Sequence, residues 1–128
     1  LDIKQRAMRQ LIGRKLAPLA SLAAQRRFIL RATYDAYYLP EELLENAADA
    51  VRLGASTEGL STEAKGELVE LGRLLHESAP DLSSPEFITT DSCWCALRVT
   101  AQRCLLALGF DLASWESEEL SPGSGSTE

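Results

Sequence analysis

The sequence predicts an all-α fold, and three observations carry that reading. Its aliphatic residues are mostly helix formers, 22 Leu and 17 Ala against 4 Ile and 3 Val, and it is the β-branched residues that favour strands. No stretch shows the strict apolar–polar alternation of a half-buried strand. Apolar residues instead recur at spacings of three and four between recognisable start and stop signals. With 128 residues, 45% of them hydrophobic, the chain has the length and apolar content of one globular domain. No apolar run approaches the roughly 20 residues of a membrane span. The expected architecture is a single-domain bundle of about five helices over 1–120, with the 91–108 helix central, followed by a flexible Ser/Gly-rich tail at 121–128.

The first helix is expected over roughly residues 2–16, with Ile3, Ala7, Met8, Leu11 and Ile12 on one face and Arg6 and Arg9 turned away. Gly13 weakens it and Pro18 interrupts it. Ser21 is a candidate cap for a second helix reaching Tyr38, with Ala24, Phe28, Ala32 and Ala36 on one side. Leu39-Pro40-Glu41-Glu42 is a helix start, since proline suits the first turn and carboxylates favour the positive end of the dipole. That third helix should bury Leu43, Leu44, Ala47, Ala50 and Val51 and stop at Gly54. After a polar turn at 55–60, Ser61 caps a fourth helix to about Ser78, with Ala64, Leu68, Leu71 and Leu75 inward. A loop follows over 79–90, with Phe87 and Ile88 tucked onto the core. Thr90 or Asp91 then caps the last helix, which ends at Leu108 before Gly109. Its apolar residues lie on most sides, as expected of an enclosed helix, and Phe110, Leu112 and Trp115 fold back over it.

Catalytic equipment is sparse. There is no Gly-rich phosphate loop, no Cys-x-x-Cys, no His-x-x-x-His and no Gly-x-Ser-x-Gly. Cys93 and Cys104 share a helix face but stand about 16 Å apart along the axis, too far for one zinc ion or a disulfide. They are expected as small core residues, and Cys95 points elsewhere. His76, the one histidine, is expected on an exposed flank. No cofactor, metal or catalytic residue is assigned, and a small hydrolytic enzyme built on carboxylates or His76 ranks last among the functional readings. Three cysteines without an apolar leader predict a reducing, cytoplasmic setting.

Charge is more informative. Residues 1–31 carry eight basic side chains and one acid, a net of +7, whereas residues 32–128 carry five basic and eighteen acidic ones, a net of −13. Glu41, Glu45 and Asp49, with Glu42 beside them, form a stripe opposite the apolar face of the third helix, and Glu63, Glu67 and Glu70 form a second on the fourth. The plain structural reading is a solvated surface that pairs with the basic N-terminal helices. The functional reading is a docking face for a basic protein partner, with Tyr34, Tyr37 and Tyr38 as anchors. A second functional reading is a nucleic-acid-associated regulator using Arg6, Arg9, Arg26 and Arg27. Against it, the rest of the chain repels phosphate and no aromatic residue lies within 1–27.

At Leu39-Pro40-Glu41-Glu42-Leu43-Leu44, and again at Leu108-Gly109-Phe110-Asp111-Leu112, with Trp94 and Trp115 flanking, the chain resembles small helical immunity proteins of bacterial toxin systems over residues 25–116. The resemblance implies tight binding and inhibition of a cognate toxin, often by covering a basic active site with carboxylates. The chain departs from the acid-throughout type in its net +7 N-terminal segment, and the resemblance assigns no individual binding residue.

Overall fold

The start signals account for most of the helix starts, and Gly109 for one helix end. A computed structural model describes residues 3–121 and contains seven α-helices among them. These are α1 (Ile3–Ala20), α2 (Leu22–Gln25), α3 (Pro40–Ser56), α4 (Thr62–Glu77), α5 (Phe87–Thr90), α6 (Ser92–Leu108) and α7 (Leu112–Glu119). The side chains of Ser21, Ser61, Asp91 and Asp111 each accept the backbone N–H three residues on, satisfying donors that a helix leaves free at its start. Gly109 ends α6 with φ 73°, the left-handed conformation that a glycine adopts without penalty. The expected tail, apart from Ser121, falls outside the described residues.

Four of these helices form the body. α1 packs on α3, α3 on α4, α4 on α6 and α6 back on α1, a closed four-helix arrangement. Its interior holds Ile12, Leu16 and Leu19 from α1 and Leu43, Ala47 and Ala50 from α3. Leu68 and Leu71 from α4 and Trp94, Leu97, Ala101, Cys104 and Leu105 from α6 complete it. Phe87 and Ile88 on α5 plug one end, with the Phe87 and Trp94 rings edge to face at 4.7 Å.

Several expectations are corrected. The helix count is seven rather than about five, because α5 and α7 form from segments expected as loop or irregular chain. α6 is one corner of the bundle instead of its enclosed centre: it has eight buried residues, yet Val99 and Leu106 stand 48% and 79% exposed on its outer side. α1 runs through Pro18 to Ala20, and the one helical hydrogen bond that proline cannot make is the one to Arg14, an exposed residue. Its inward face is Ile12–Leu16–Leu19, leaving Ile3, Ala7 and Leu11 exposed.

Gly54 does not stop α3. It lies inside the helix, where an added Cβ would come within 2.5 Å of Leu68 Cδ1, so its smallness serves the approach of α4. The second helix does not reach Tyr38. After α2 the chain makes one wider π turn over Arg26–Leu30, closed by Arg31 N–H to the Arg26 carbonyl at 2.9 Å, and then leaves helical geometry. Thr33 diverts it: its hydroxyl accepts the Ala36 N–H at 3.1 Å, a local turn that competes with the helix ladder. Leu39, forced extended by Pro40, completes the break.

Candidate functional site

Residues 31–39 form a loop that leads directly into the acidic start of α3. The Tyr38 N–H donates to the Phe28 carbonyl at 2.8 Å, and the Tyr38 ring lies 4.7 Å from that of Phe28. The phenol donates to Glu119 Oε2 at 2.7 Å. Burial, then the hydrogen bond to Glu119 and its charge, hold the Tyr38 hydroxyl well above the ordinary phenol range. Tyr38 therefore fastens the loop to the body. Tyr34 and Tyr37 are its free members, 96% and 56% exposed, flanked by Leu30 and Leu39 at 39% and 45%. Among the described residues, four of the nine large apolar or aromatic side chains that face solvent fall within residues 30–39. The three tyrosines, expected on a helix, lie instead on this loop, which runs into the first turn of α3 at Pro40.

On α3, burial of Leu43, Ala47 and Ala50 turns Glu41 and Glu45 outward on the opposite side, with Glu42 adjoining. None of these three carboxylates has an ion-pair partner among the described residues. Asp49 is paired with Arg52 on its own helix. The second stripe is different. Glu67 meets Arg103 at 3.3 Å, and Arg73 holds both Glu70 and Glu77, the latter at 2.7 Å. The Arg73 guanidinium keeps the Glu70 carboxyl below the usual carboxylate range. One acidic stripe is thus largely neutralised by its neighbours while the other is open.

The basic segment does not neutralise it either. No ion pair joins any basic residue of 3–31 to an acid among the described residues. Arg9 donates to the Leu108 carbonyl at 3.3 Å, and Arg27 donates to that of Leu120 at 3.2 Å while lying over the Phe28 ring. Arg6 and Arg26 are exposed. The internal pairing of basic and acidic helices expected from the charge layout is therefore not how the charges are used.

A buried polar knot lies behind the loop, and its residues escaped sequence reasoning. Gln25 is fully buried; its amide donates to the Pro18 and Leu19 carbonyls at 2.9 and 2.7 Å, and its oxygen accepts from Trp94 Nε1 at 3.0 Å and Arg98 at 3.3 Å. Arg98 also donates to the Ile88 carbonyl at 2.6 Å and to Cys95 Sγ at 3.6 Å. The available signal was an arginine four residues after Trp94, on the same side of a helix whose other exposed and half-exposed positions already carry Gln102 and Arg103; its distant partner Gln25 carried none.

Cys104 is buried and Cys93 and Cys95 are half-buried, all as free thiols. Burial, helped by the Glu67 charge, pushes the Cys104 thiol up to about 12. A thiol whose pKa is raised by folding stabilises the fold fully below its unfolded value of about 8.5, and that contribution is lost as pH climbs toward the folded value. We expect Ellman's reagent at pH 8 to modify Cys93 and Cys95 in the native protein and Cys104 only after unfolding. Native modification of Cys104 at the same rate would contradict this placement.

His76 is exposed in the last turn of α4. Among the described residues, no group of three or more His, Cys, Asp or Glu side chains is arranged to hold a metal ion, and no helix is long and apolar enough to cross a membrane. No protein-family model, curated protein or solved structure matches the chain.

Proposed function

We propose that the chain is a stoichiometric protein-binding module, an immunity- or antitoxin-like inhibitor that neutralises a basic cognate toxin by direct contact in the cytoplasm. The observation that carries this reading is the set Glu41, Glu42 and Glu45, exposed and without an ion pair among the described residues, on the helix that directly follows the loop bearing the exposed rings of Tyr34 and Tyr37. Unpaired ordered carboxylates attract a positive surface from a distance and penalise wrong partners. Tyrosines at the edge of that field supply the large contact area that carries most binding energy in an interface. Asp49 has a lesser part, because Arg52 screens it.

Its test is charge reversal. The triple variant Glu41→Lys, Glu45→Lys, Asp49→Lys should keep its circular dichroism and stay folded with a modestly lower thermal midpoint, since all three residues lie outside the core while Glu41 favours the start of α3 and Asp49 pairs with Arg52. Association with the protein retained by the wild-type chain in pull-downs should slow by about ten- to a hundredfold at low salt. An unchanged association rate would remove the docking role from this face.

The nucleic-acid reading has one observation in its favour: the basic residues of 3–31 are not spent on ion pairs. The same experiment separates it from the first reading. An Arg6→Glu, Arg26→Glu variant would lose a phosphate partner, whereas the acidic triple variant would bind that partner more tightly.

A further inference from the structure

Between α3, the end of α4 and α6 there is a groove of about 210 Å³. Leu44 and Ala48 of α3, Leu75 of α4, Pro80 just beyond it and Leu97 of α6 form its apolar lining, and Glu45 and Ser78 are the polar groups on it. Leu97 is buried and forms the floor, while Glu45 is exposed and stands at the rim. The volume is below the roughly 300–1,000 Å³ of small-molecule sites, and suits a single inserted side chain.

We infer that this groove receives a lysine or arginine side chain of the basic partner, its methylene stem on Leu44, Ala48, Leu75 and Leu97 and its cationic head at Glu45. The inference rests on the docking reading and names the point of insertion. Two independent electrostatic features select a cation over an aliphatic side chain. Glu45 carries a carboxylate with no ion pair among the described residues. The groove also opens at the C-terminal end of α4, a helix of 16 residues whose last carbonyls form the negative end of its dipole. Among the described residues no lysine or arginine lies in the last turn of α4, and its one basic side chain there, His76, is exposed to solvent. Arg73, one turn earlier, is held by Glu70 and Glu77. Ser78 bonds Leu74 through its backbone N–H, and its hydroxyl makes no hydrogen bond among the described residues. An apolar trough with a negative mouth matches a long side chain that buries its stem and keeps its charge at the surface.

The probes are three capped tripeptides, acetyl-Gly-X-Gly-amide with X as lysine, norleucine or glutamate, titrated into the full chain and followed by methyl NMR. The lysine peptide should shift the Leu44, Leu75 and Leu97 methyl resonances saturably in the millimolar range. Norleucine should bind about two- to fivefold more weakly, and glutamate should leave these methyls unmoved. In Glu45→Gln the lysine peptide should lose most of its advantage over norleucine, keeping only what the end of α4 supplies, while norleucine is unaffected. Equal binding of lysine and norleucine to the wild-type chain, or no shift at these methyls, overturns the inference. If the groove stays empty while partner association still depends on the acidic triple variant, the insertion point is wrong and the docking face stands. If lysine enters the groove but the triple variant binds the partner unchanged, the docking reading falls instead.

Discussion

Replacing Gln25 by alanine is expected to destabilise the fold by about 3–5 kcal/mol, a large part of the roughly 5–15 kcal/mol that holds a domain together. Gln25 ties three separate segments together from a site with no solvent access: the end of α1 through the Pro18 and Leu19 carbonyls, and α6 through Trp94 and Arg98. Without it, the indole N–H of fully buried Trp94 has no acceptor, and Arg98 loses one of a set of partners that includes no carboxylate. A buried donor without an acceptor incurs its full desolvation penalty, and a buried cation is worse. Urea titration should show a lower midpoint with unchanged slope. Gln25→Met separates hydrogen bonding from packing, because it keeps the volume; a midpoint near wild type in that variant would show that packing, not the polar knot, is what matters.

The second expected result is a pair of identical substitutions with opposite outcomes. Gly66 sits in the middle of α4 with open space where a Cβ would be, so Gly66→Ala should stabilise by about 0.5–1 kcal/mol through helix propensity. Gly13 sits in α1 under the Phe110 ring, and a Cβ there would overlap it, 2.7 Å from Cγ. The ring cannot easily yield: Phe110 is buried, and its N–H is fixed to the Leu105 carbonyl at 2.9 Å. Overpacking of this sort costs about 1–3 kcal/mol, as much as or more than the ~1 kcal/mol gained in helix propensity. Gly13→Ala should therefore lower the thermal midpoint and Gly66→Ala raise it. Two shifts of the same sign would mean that Phe110 moves aside freely.

What was legible in the sequence was mainly local. Ser61, Asp91, Pro40 and Gly109 act through atoms within a few residues, so their spacing was enough to place helix ends. The errors arose where a distant neighbour decides. Gly54 reads as a stop until Leu68 is seen against it. Ala32 and Ala36 extend an apolar spacing that the Thr33 turn and Pro40 override. Val99 and Leu106 made α6 look enclosed, although apolar character alone does not specify a covering helix. For the candidate face, the outward direction of Glu41 and Glu45 followed from helix period. That no arginine of 3–31 reaches them did not, because it depends on how the helices are arranged in space.

α7 contributes no fully buried residue. It is fastened to the opposite end of the chain by Ser21 to Glu116 at 2.6 Å, Tyr38 to Glu119 at 2.7 Å and Arg27 to the Leu120 carbonyl at 3.2 Å. Apart from these bonds α7 is held by half-buried Leu112 and Trp115 against the core, and segments with few buried contacts open at a fraction of the global unfolding free energy. Any opening of α7 ahead of the bundle breaks the Tyr38–Glu119 bond and leaves the aromatic loop held by the Tyr38 contacts with Phe28 alone. The rigidity with which Tyr34 and Tyr37 are displayed is thus governed from some 80 residues downstream, by the fraying of one short terminal helix.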